Sequence, residues 1–176
     1  MIKKRKIILN LAMSVDGYIA DEQGGFDWIK GDGNAHLNTA NKWDYNQFLE
    51  GIDTVVMGKR CYDQGFLEDF KDKTVYVATT ESLPDTENIR FVNGDICSTI
   101  LDECTKEGKD IFLFGGGILI DAFLKADIID EYIIGIIPTI LGKGRPLFLG
   151  NHPKIDLSLQ EFVAEDGIII LRYTKR

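Results

Sequence analysis

The chain has 176 residues, 44% of them hydrophobic and 27% charged, with a formal net charge of −8 at pH 7. This composition is typical of one globular domain over residues 1–176, and no apolar run is long enough to cross a bilayer. The acidic charge argues against a general nucleic-acid binder, which needs basic surface to neutralise phosphates.

Helical and strand patterns alternate through the first two thirds of the chain. Apolar residues in a period of two predict a strand, those in a helical period predict a helix, and short apolar runs predict buried strands. In chain order these are a strand in which Ile7, Leu9, Leu11 and Met13 share a face, a polar loop to about Asn34, a helix over 35–50, strands over 53–58, 74–79 and 89–92, a helix over 98–106, a strand over 111–114 and a helix ending near 126.

The last third of the chain contains strands only. One strand covers 131–138, a Gly- and Pro-rich link follows, and two final strands, 157–164 and 168–175, are joined at Asp166-Gly167. An Asp-Gly pair between two such strands is a strong signal for a tight hairpin. The whole pattern predicts an α/β fold of three layers: a mixed, mainly parallel sheet with helices on both faces and an antiparallel C-terminal hairpin.

Three consecutive glycines, Gly115–Gly117, lie between a predicted strand and a predicted helix. Such a junction lets backbone N–H groups approach an anion at the positive end of the helix, although a tight turn without a ligand gives the same pattern. Ile120 stands where a dinucleotide fingerprint needs its third glycine. A Walker loop is excluded because neither Gly58-Lys59 nor Gly142-Lys143 is followed by Ser or Thr.

Cysteine and histidine usage points to neither a disulfide framework nor a metal site. The chain has 3 Cys and 2 His, which are scattered and form no CxxC pair. The basic start, Met1 to Lys6, resembles the first part of a signal peptide, but polar Asn10, Ser14 and Asp16 interrupt the apolar stretch after it. We therefore expect a cytoplasmic protein with reduced thiols, no bound metal and no membrane partner.

Asp44 is a candidate catalytic acid. If the helix over 35–50 is continuous, Asp44 shares a stripe with the apolar Leu37, Ala40 and Phe48. A carboxylate on a buried stripe is costly unless it is paired or used, and burial raises its pKa towards the range of a proton donor. Alternatively, the helix begins near Lys42 and Asp44 lies in its exposed first turn.

Four segments in order resemble the dihydrofolate reductase-like family, and in particular the reductase domain of bacterial riboflavin biosynthesis and its stand-alone relatives. The resemblance extends over nearly the whole chain. The segments are Ser14 to Ala20, Val55 to Tyr62, Phe114 to Gly117 and Pro138 to Gly144.

The resemblance implies an NADPH-dependent reductase and assigns cofactor-binding residues. The helix start after the second main strand and the glycine junction hold phosphates in the family, and hydroxyl residues lie near the adenosine 2′-phosphate. Cys61 departs from the family, which usually has Thr there. Lys59 and Arg60 can also be read as a solvated surface pair, and the threonines as ordinary turn residues. The implied cofactor-binding residues are Ala12, Gly58, Lys59, Arg60, Cys61, Thr79, Thr80, Gly115, Gly116, Gly117 and Ile118.

The resemblance also places the substrate beside the first strand. It implies Asn10 as a substrate contact and Asp16 as a second catalytic candidate in the loop beside the nicotinamide, although Asp before Gly17 is also a common turn former. Aromatic side chains could form the walls for a flat heterocycle, although aromatic residues at helical spacing more often belong to the core. Trp28 and Phe48 are the chosen candidates, with Trp43 and Tyr45 as further ones. Lys143 and Arg145 could meet a substrate phosphate or remain solvated.

The function implied by this resemblance is hydride transfer from NADPH to a small pterin- or aminopyrimidine-like heterocycle. The alternative is a non-catalytic NADP(H)-binding protein of the same fold, which has lost the substrate acid. Only the reductase half of the complete riboflavin enzyme fits, because the zinc-deaminase signatures are missing. The apolar C-terminal strands and the oligomeric state usual in the family imply a homodimer.

Overall fold

The structure is a computed structural model that describes residues 4–176. Within this range the chain forms ten strands, four α-helices and one 3₁₀ helix. In chain order they are β1 Ile7–Ser14, β2 Tyr18–Ala20, α1 Tyr45–Glu50, β3 Ile52–Gly58, α2 Lys59–Asp63, the 3₁₀ helix Phe66–Phe70, β4 Thr74–Ala78, β5 Ile89–Val92, α3 Ile96–Glu103, β6 Asp110–Gly115, α4 Gly117–Lys125, β7 Glu131–Ile137, β8 Arg145–Pro146, β9 Leu157–Glu165 and β10 Ile168–Lys175.

Eight strands form one mixed sheet in the order β5-β4-β3-β6-β1-β7-β10-β9. The neighbours from β5 to β7 are all parallel, whereas β10 is antiparallel to both β7 and β9. The predicted parallel sheet with an antiparallel C-terminal hairpin is therefore confirmed. A small second sheet, which the sequence did not reveal, pairs β2 with β8.

The core lies on both faces of the sheet. On one face, Ile7 and Leu9 of β1 pack in a cluster with side chains of α3 and α4. On the other face, Ile8 packs in a cluster with side chains that come from α1, α2 and the 3₁₀ helix. Because successive side chains of a strand point to opposite faces, a central strand buried on both sides must be apolar at nearly every position. The predicted three layers are thus confirmed.

The predicted helix over 35–50 is wrong over most of its length. Only Tyr45–Glu50 is helical, and Asp44 caps it by accepting a hydrogen bond of 3.0 Å from the backbone N–H of Gln47. Leu37, which the helical stripe placed in the core, is 79% exposed. The apolar spacing over 35–44 was therefore accidental, and the alternative of a late helix start describes the structure.

The segment before α1 is instead bonded to the hairpin between β9 and β10. The backbone N–H of Thr39 donates to the carbonyl of Ala164 at 2.8 Å, and the Ala164 N–H donates to Thr39 Oγ1 at 3.1 Å. The N–H of Asp32 donates to the carbonyl of Asp166 at 2.9 Å. Since these backbone groups have partners across the molecule, they do not need an internal helical ladder.

Arg5 joins three chain segments at the amino-terminal edge of the parallel strands. Its guanidinium contacts the carboxylate of Asp53 and donates to Thr54 Oγ1 at 2.6 Å, Glu103 Oε1 at 3.0 Å and the carbonyl of Lys109 at 2.5 Å. The Arg5 side chain is only 2% exposed. A buried guanidinium is tolerated because its donors are bonded to charged and carbonyl oxygens.

Asp16 acts as a turn clamp between β1 and the glycine-rich link. It accepts hydrogen bonds from Ser14 Oγ at 2.6 Å, from the Gly142 N–H at 2.8 Å and from the Leu141 N–H at 3.1 Å. The bond from Ser14, assisted by the two backbone donors, lowers the pKa of Asp16 below its usual value. Asp16 is thus held as a carboxylate, which suits a structural acceptor and not a proton donor.

We predict that Arg5→Ala lowers the free energy of unfolding by about 2–4 kcal/mol, because it leaves the Asp53 and Glu103 carboxylates without their shared cation. Urea denaturation followed by circular dichroism measures this change. Lys106→Ala is the control, since Lys106 pairs with the same Glu103 from a 62% exposed position and should cost about 1 kcal/mol or less. Equal losses in the two variants would contradict the role assigned to Arg5.

We predict that Asp16→Asn lowers Tm at neutral pH and that the Tm difference from the wild type shrinks as the pH falls below 3.8, the ordinary pKa of the carboxyl. A group whose pKa is lowered on folding stabilises the protein above its unfolded pKa, and this contribution is lost as the pH falls through the folded value. Thermal denaturation across acidic pH values measures the difference. Asp27→Asn, at an exposed carboxylate of the next loop, should show no such trend, and a constant difference for Asp16→Asn would refute the clamp.

Candidate active site

A long cleft of about 1160 Å³ crosses the carboxyl-terminal edge of the parallel strands. Its lining includes residues at the ends of β3, β4, β5, β6 and β7 and the first residues of the antiparallel β10. Ligands of open α/β sheets bind at this edge. Pockets for small molecules measure roughly 300–1,000 Å³, so this cleft is larger than the usual range.

The predicted glycine junction, Gly115–Gly117, borders this cleft. β6 ends at Gly115, Gly116 is the extended N-cap of α4, and Gly117 begins the helix. Gly116, Gly117 and Ile118 line the cleft, whereas Gly115 is buried behind them with a φ of +120°, which favours glycine. A Cβ on Gly116 would find no protein atom nearer than Cys61 Sγ at 3.9 Å. The space beside Gly116 is therefore open to a ligand.

The second predicted phosphate-binding segment faces the same cleft. Gly58 caps the short helix α2, and Lys59, Arg60 and Cys61 line the cleft with it. Lys59 Nζ is paired with Asp63 Oδ1 at 2.6 Å, and this hydrogen bond raises the pKa of Lys59. Arg60 is exposed and, within residues 4–176, has no ion pair. Of the two adjacent cations, Arg60 is therefore the freer one to meet an anion.

Arg145 is the third cation of the cleft. The link that carries it packs on the glycine junction, since a Cβ on Gly117 would lie 3.0 Å from the carbonyl oxygen of Pro146. Burial raises the pKa of the Cys61 thiol, and the nearby charges of Arg145 and Arg60 offset part of that rise. Lys143, the other cation of this link, points away and pairs with Glu22 at 2.9 Å. From the sequence alone, Lys143 and Arg145 are equivalent candidates for a phosphate contact.

The remaining cofactor candidates also line the cleft. Thr79 and Thr80 lie at the end beside β4 and β5, and Ala12 lies on β1. Thr79 Oγ1 accepts a hydrogen bond of 3.0 Å from the Glu81 N–H, as a turn residue does, so the alternative reading of Thr79 also describes its contacts. Its position at the cleft is nevertheless the one that the resemblance implied.

Neither carboxylate chosen from the sequence reaches the cleft. Asp44 is exposed and occupied as the N-cap of α1, and Asp16 is occupied by its turn. The premise for Asp44, a buried stripe of a long helix, is therefore wrong. Within the described part of the chain, the lining contains Lys59, Arg60 and Arg145 but no Asp or Glu. In a chain with a net charge of −8, the cleft is a locally basic region that favours anions.

The aromatic walls differ from those chosen from the sequence. Trp28 lies outside the lining and donates from Nε1 to the carbonyl of Gly25 at 3.2 Å, and Phe48 packs in the core against Phe112, with ring centroids 5.1 Å apart. Trp43 and Tyr45, which the sequence had offered as further candidates, do line the cleft. Burial, with the nearby Asp69 charge, raises the pKa of the Tyr45 hydroxyl to about 12.

Asn10 lines the cleft from the middle of β1, as the resemblance implied. Its Nδ2 atom is buried, and no hydrogen-bond partner for it exists within residues 4–176. Gly135, in the adjacent strand β7, also lines the cleft, and the sequence analysis missed it. The signal was present, because an isolated glycine within an apolar strand often marks a close approach of a ligand or backbone.

Over residues 4–176, no helix is long and apolar enough to span a membrane. The same residues contain no cluster of His, Cys, Asp and Glu suited to a metal ion. Residues 1–3, which include part of the basic start noted in the sequence, lie outside the described range.

The chain matches known proteins along nearly its whole length. The profile of the RibD C-terminal domain matches residues 5–105 and 67–167. The uncharacterized protein YwjB of Bacillus subtilis (strain 168) is 35% identical over 166 residues, which cover 88% of this chain and 90% of that protein. Sequence similarity therefore extends beyond individual motifs.

Solved structures also superimpose on this chain. A putative riboflavin biosynthesis protein from Shewanella sp. PV-4 superimposes with a TM-score of 0.78 at 28% identity, covering 97% of this chain and 99% of that one. Dihydrofolate reductase from Enterococcus faecalis superimposes with a TM-score of 0.61 at 15% identity, covering 100% and 99%. The second likeness shows the fold alone. The chain belongs to the RibD C-terminal domain family and has the dihydrofolate reductase-like fold.

Proposed function

We propose that this protein is an NADPH-dependent reductase that transfers hydride to a small planar heterocycle of the pterin or aminopyrimidine type. The observation that carries the proposal is a cleft at the carboxyl edge of a parallel sheet. Among the residues that the structure describes, the glycine junction and three cations line it, and no carboxylate does. Membership of the RibD C-terminal domain family supports a reductase, and the Enterococcus faecalis neighbour is a complex with NADP(H).

The lining residues fit a dinucleotide with a 2′-phosphate. The open space at Gly116, at the start of α4, suits the diphosphate, with Arg60 and Arg145 as its cations. The hydroxyls of Thr79 and Thr80 suit the adenosine end. Ala12 and the far end of the cleft then remain for the nicotinamide, which supplies the hydride when the cofactor is bound.

The chain's own residues position the substrate and exclude water. Trp43, Phe112 and Ile170 line the far end of the cleft with apolar surface, which suits a flat ring. Asn10 lines this end of the cleft, and its amide, turned towards the cleft, would fix the orientation of a polar ring. Because no carboxylate of residues 4–176 lines the cleft, the proton that completes the reduction comes from water and not from an aspartate.

The second candidate is an NADP(H)-binding protein without turnover. The lack of a lining carboxylate in the described residues favours it, because a carboxyl group is what would donate the proton in a folate-type reduction. Loss of NADPH absorbance on addition of pterin and aminouracil compounds separates the two candidates. Stimulated oxidation supports the reductase, whereas tight NADPH binding without oxidation by any of these compounds supports the binding protein.

We predict that Gly116→Ala weakens NADPH binding at least about tenfold, the scale of one misplaced methyl group in a fitted pocket. The protein itself tolerates the new Cβ, since its nearest contact is at 3.9 Å. Calorimetry with NADPH measures the affinity. Gly51→Ala is the matched control, because Gly51 has a φ of −81° and lies outside the cleft. Unchanged affinity in Gly116→Ala would remove the glycine junction from the cofactor site.

We predict that Arg145→Gln weakens NADPH binding about tenfold to a hundredfold, as expected for one lost charge-assisted hydrogen bond. It should also reduce the dependence of the affinity on salt, because one charge pair fewer is screened. Lys143→Gln removes the same charge two residues away, on a side chain paired with Glu22 outside the cleft. It should change the affinity less than about twofold, and equal effects of the two substitutions would contradict the site.

A further inference from the structure

The two ends of the cleft differ in charge. Its three cations gather around the glycine junction: Lys59 and Arg60 begin α2, and Arg145 lies close enough to Cys61 to influence the thiol. The opposite end, towards β7 and β10, is lined by Trp43, Ile170 and other neutral side chains. No formal charge lines that end, which we call the ring end, within the described residues.

The negative charge of the proposed cofactor is enough by itself to balance the cations that line the cleft. The 2′-phosphate of NADPH carries about −1.5 to −2 charges, and its diphosphate adds about two more. The protein offers three cations, and Lys59 is already paired with Asp63. No positive side chain of the lining is therefore left to neutralise a phosphate on the second ligand.

Asn10 provides the polar contact of the ring end. Its Nδ2 is buried and has no hydrogen-bond partner in residues 4–176. A buried donor without a partner is costly. The Asn10 side chain as a whole is only partly buried and lines the cleft, and the terminal torsion of an asparagine has broad minima, so a turn of the amide brings Nδ2 to the cleft surface. A ligand that supplies an acceptor there favours that rotamer. The amide nitrogen can only donate, and the matching group on the ligand is therefore an oxygen or nitrogen with a free lone pair.

We propose that the substrate is an uncharged, unphosphorylated planar ring whose carbonyl oxygen accepts a hydrogen bond from Asn10 Nδ2. This inference rests on the proposed reductase function and narrows its substrate class. A phosphorylated ring would place a dianion against neutral, largely apolar walls. A cationic ring would need a carboxylate, and none of the described part of the chain lines the cleft.

The same amide suits the chemistry of such a ring. Hydride adds to the carbon of a C=N or C=C bond conjugated to the carbonyl, the π bond breaks, and its electron pair moves onto the carbonyl oxygen. The N–H of Asn10 stabilises the developing oxyanion. Water then protonates the ring, so that one hydride from NADPH and one proton from solvent complete the two-electron reduction.

The first test measures binding at the ring end of the protein saturated with NADP⁺. The chain has 2 Trp, and Trp28→Phe leaves Trp43, which lines the cleft, as the single fluorescent reporter. The probes are pteridine-2,4-dione, 5-amino-6-ribosylaminouracil and the 5′-phosphate of the latter. We expect the two uncharged probes to quench Trp43 and to bind at least about tenfold more tightly than the phosphate, a difference of about 1.4 kcal/mol. Equal or tighter binding of the phosphate, or no binding of either uncharged probe, overturns the inference.

The second test addresses Asn10 itself. Asn10→Leu should lower kcat for whichever probe is reduced about a hundredfold and leave NADPH affinity unchanged. Asn10→Asp keeps the shape but removes the donor while the carboxyl is ionised. Binding of pteridine-2,4-dione to Asn10→Asp should therefore be weak at neutral pH and recover on acidification, when the protonated carboxyl can donate. A merely structural role of Asn10 predicts no such recovery, and its absence overturns the assignment.

These outcomes are separable from failure of the proposed function. If the protein oxidises NADPH with the phosphorylated aminouracil but not with the uncharged probes, the reductase function stands and the substrate class is wrong. If calorimetry detects no NADPH binding to the wild-type protein, the proposed function itself fails.

Discussion

The parallel pairing of β1 with both β6 and β7 is the constraint on which the site depends. Parallel neighbours end at the same edge, so the glycine junction after β6 and the ends of β3 and β4 must all open on one side of the molecule. At the opposite edge, Arg5 joins β1 to the start of β3 and the end of α3. The ion pairs of the buried Arg5 fix where these strands begin, and the strand register sets where they end at the cleft.

The antiparallel hairpin contributes to the site in two ways. The first residues of β10, Ile168 and Ile170, reach the cleft because β10 runs opposite to β7. The turn of the same hairpin also holds the loop of residues 31–42 through backbone hydrogen bonds at Asp32 and Thr39. That loop leads directly to Trp43. The hairpin therefore supplies part of the apolar wall of the ring end and also positions the loop that leads to Trp43.

Local patterns predicted the sheet well because each strand carries its own signal. Most strand bounds agree with the structure within one residue or two, since apolar runs and the Asp166-Gly167 turn are specified by neighbours in sequence. The helix over 35–50 failed because long-range bonds of Thr39 to Ala164 replaced the helical ladder. Asp44 is therefore the N-cap of α1 and not part of a buried stripe. No local pattern distinguishes Arg145 in the cleft from Lys143 outside it, because only the packing of the link on the glycine junction separates them.

The same distinction between local and long-range determinants explains why the glycine junction is easier to infer from sequence than the ring end of the cleft. The glycine junction and the Gly58 helix start are short continuous segments whose geometry is set by the backbone. The ring end is assembled from single side chains of several elements, including Asn10, Trp43 and Ile170. The fold does not determine which side chains stand at such positions, because one fold can carry many different sites. The fold can therefore be shared with a dihydrofolate reductase at 15% identity, while the substrate must be argued from this chain's own lining.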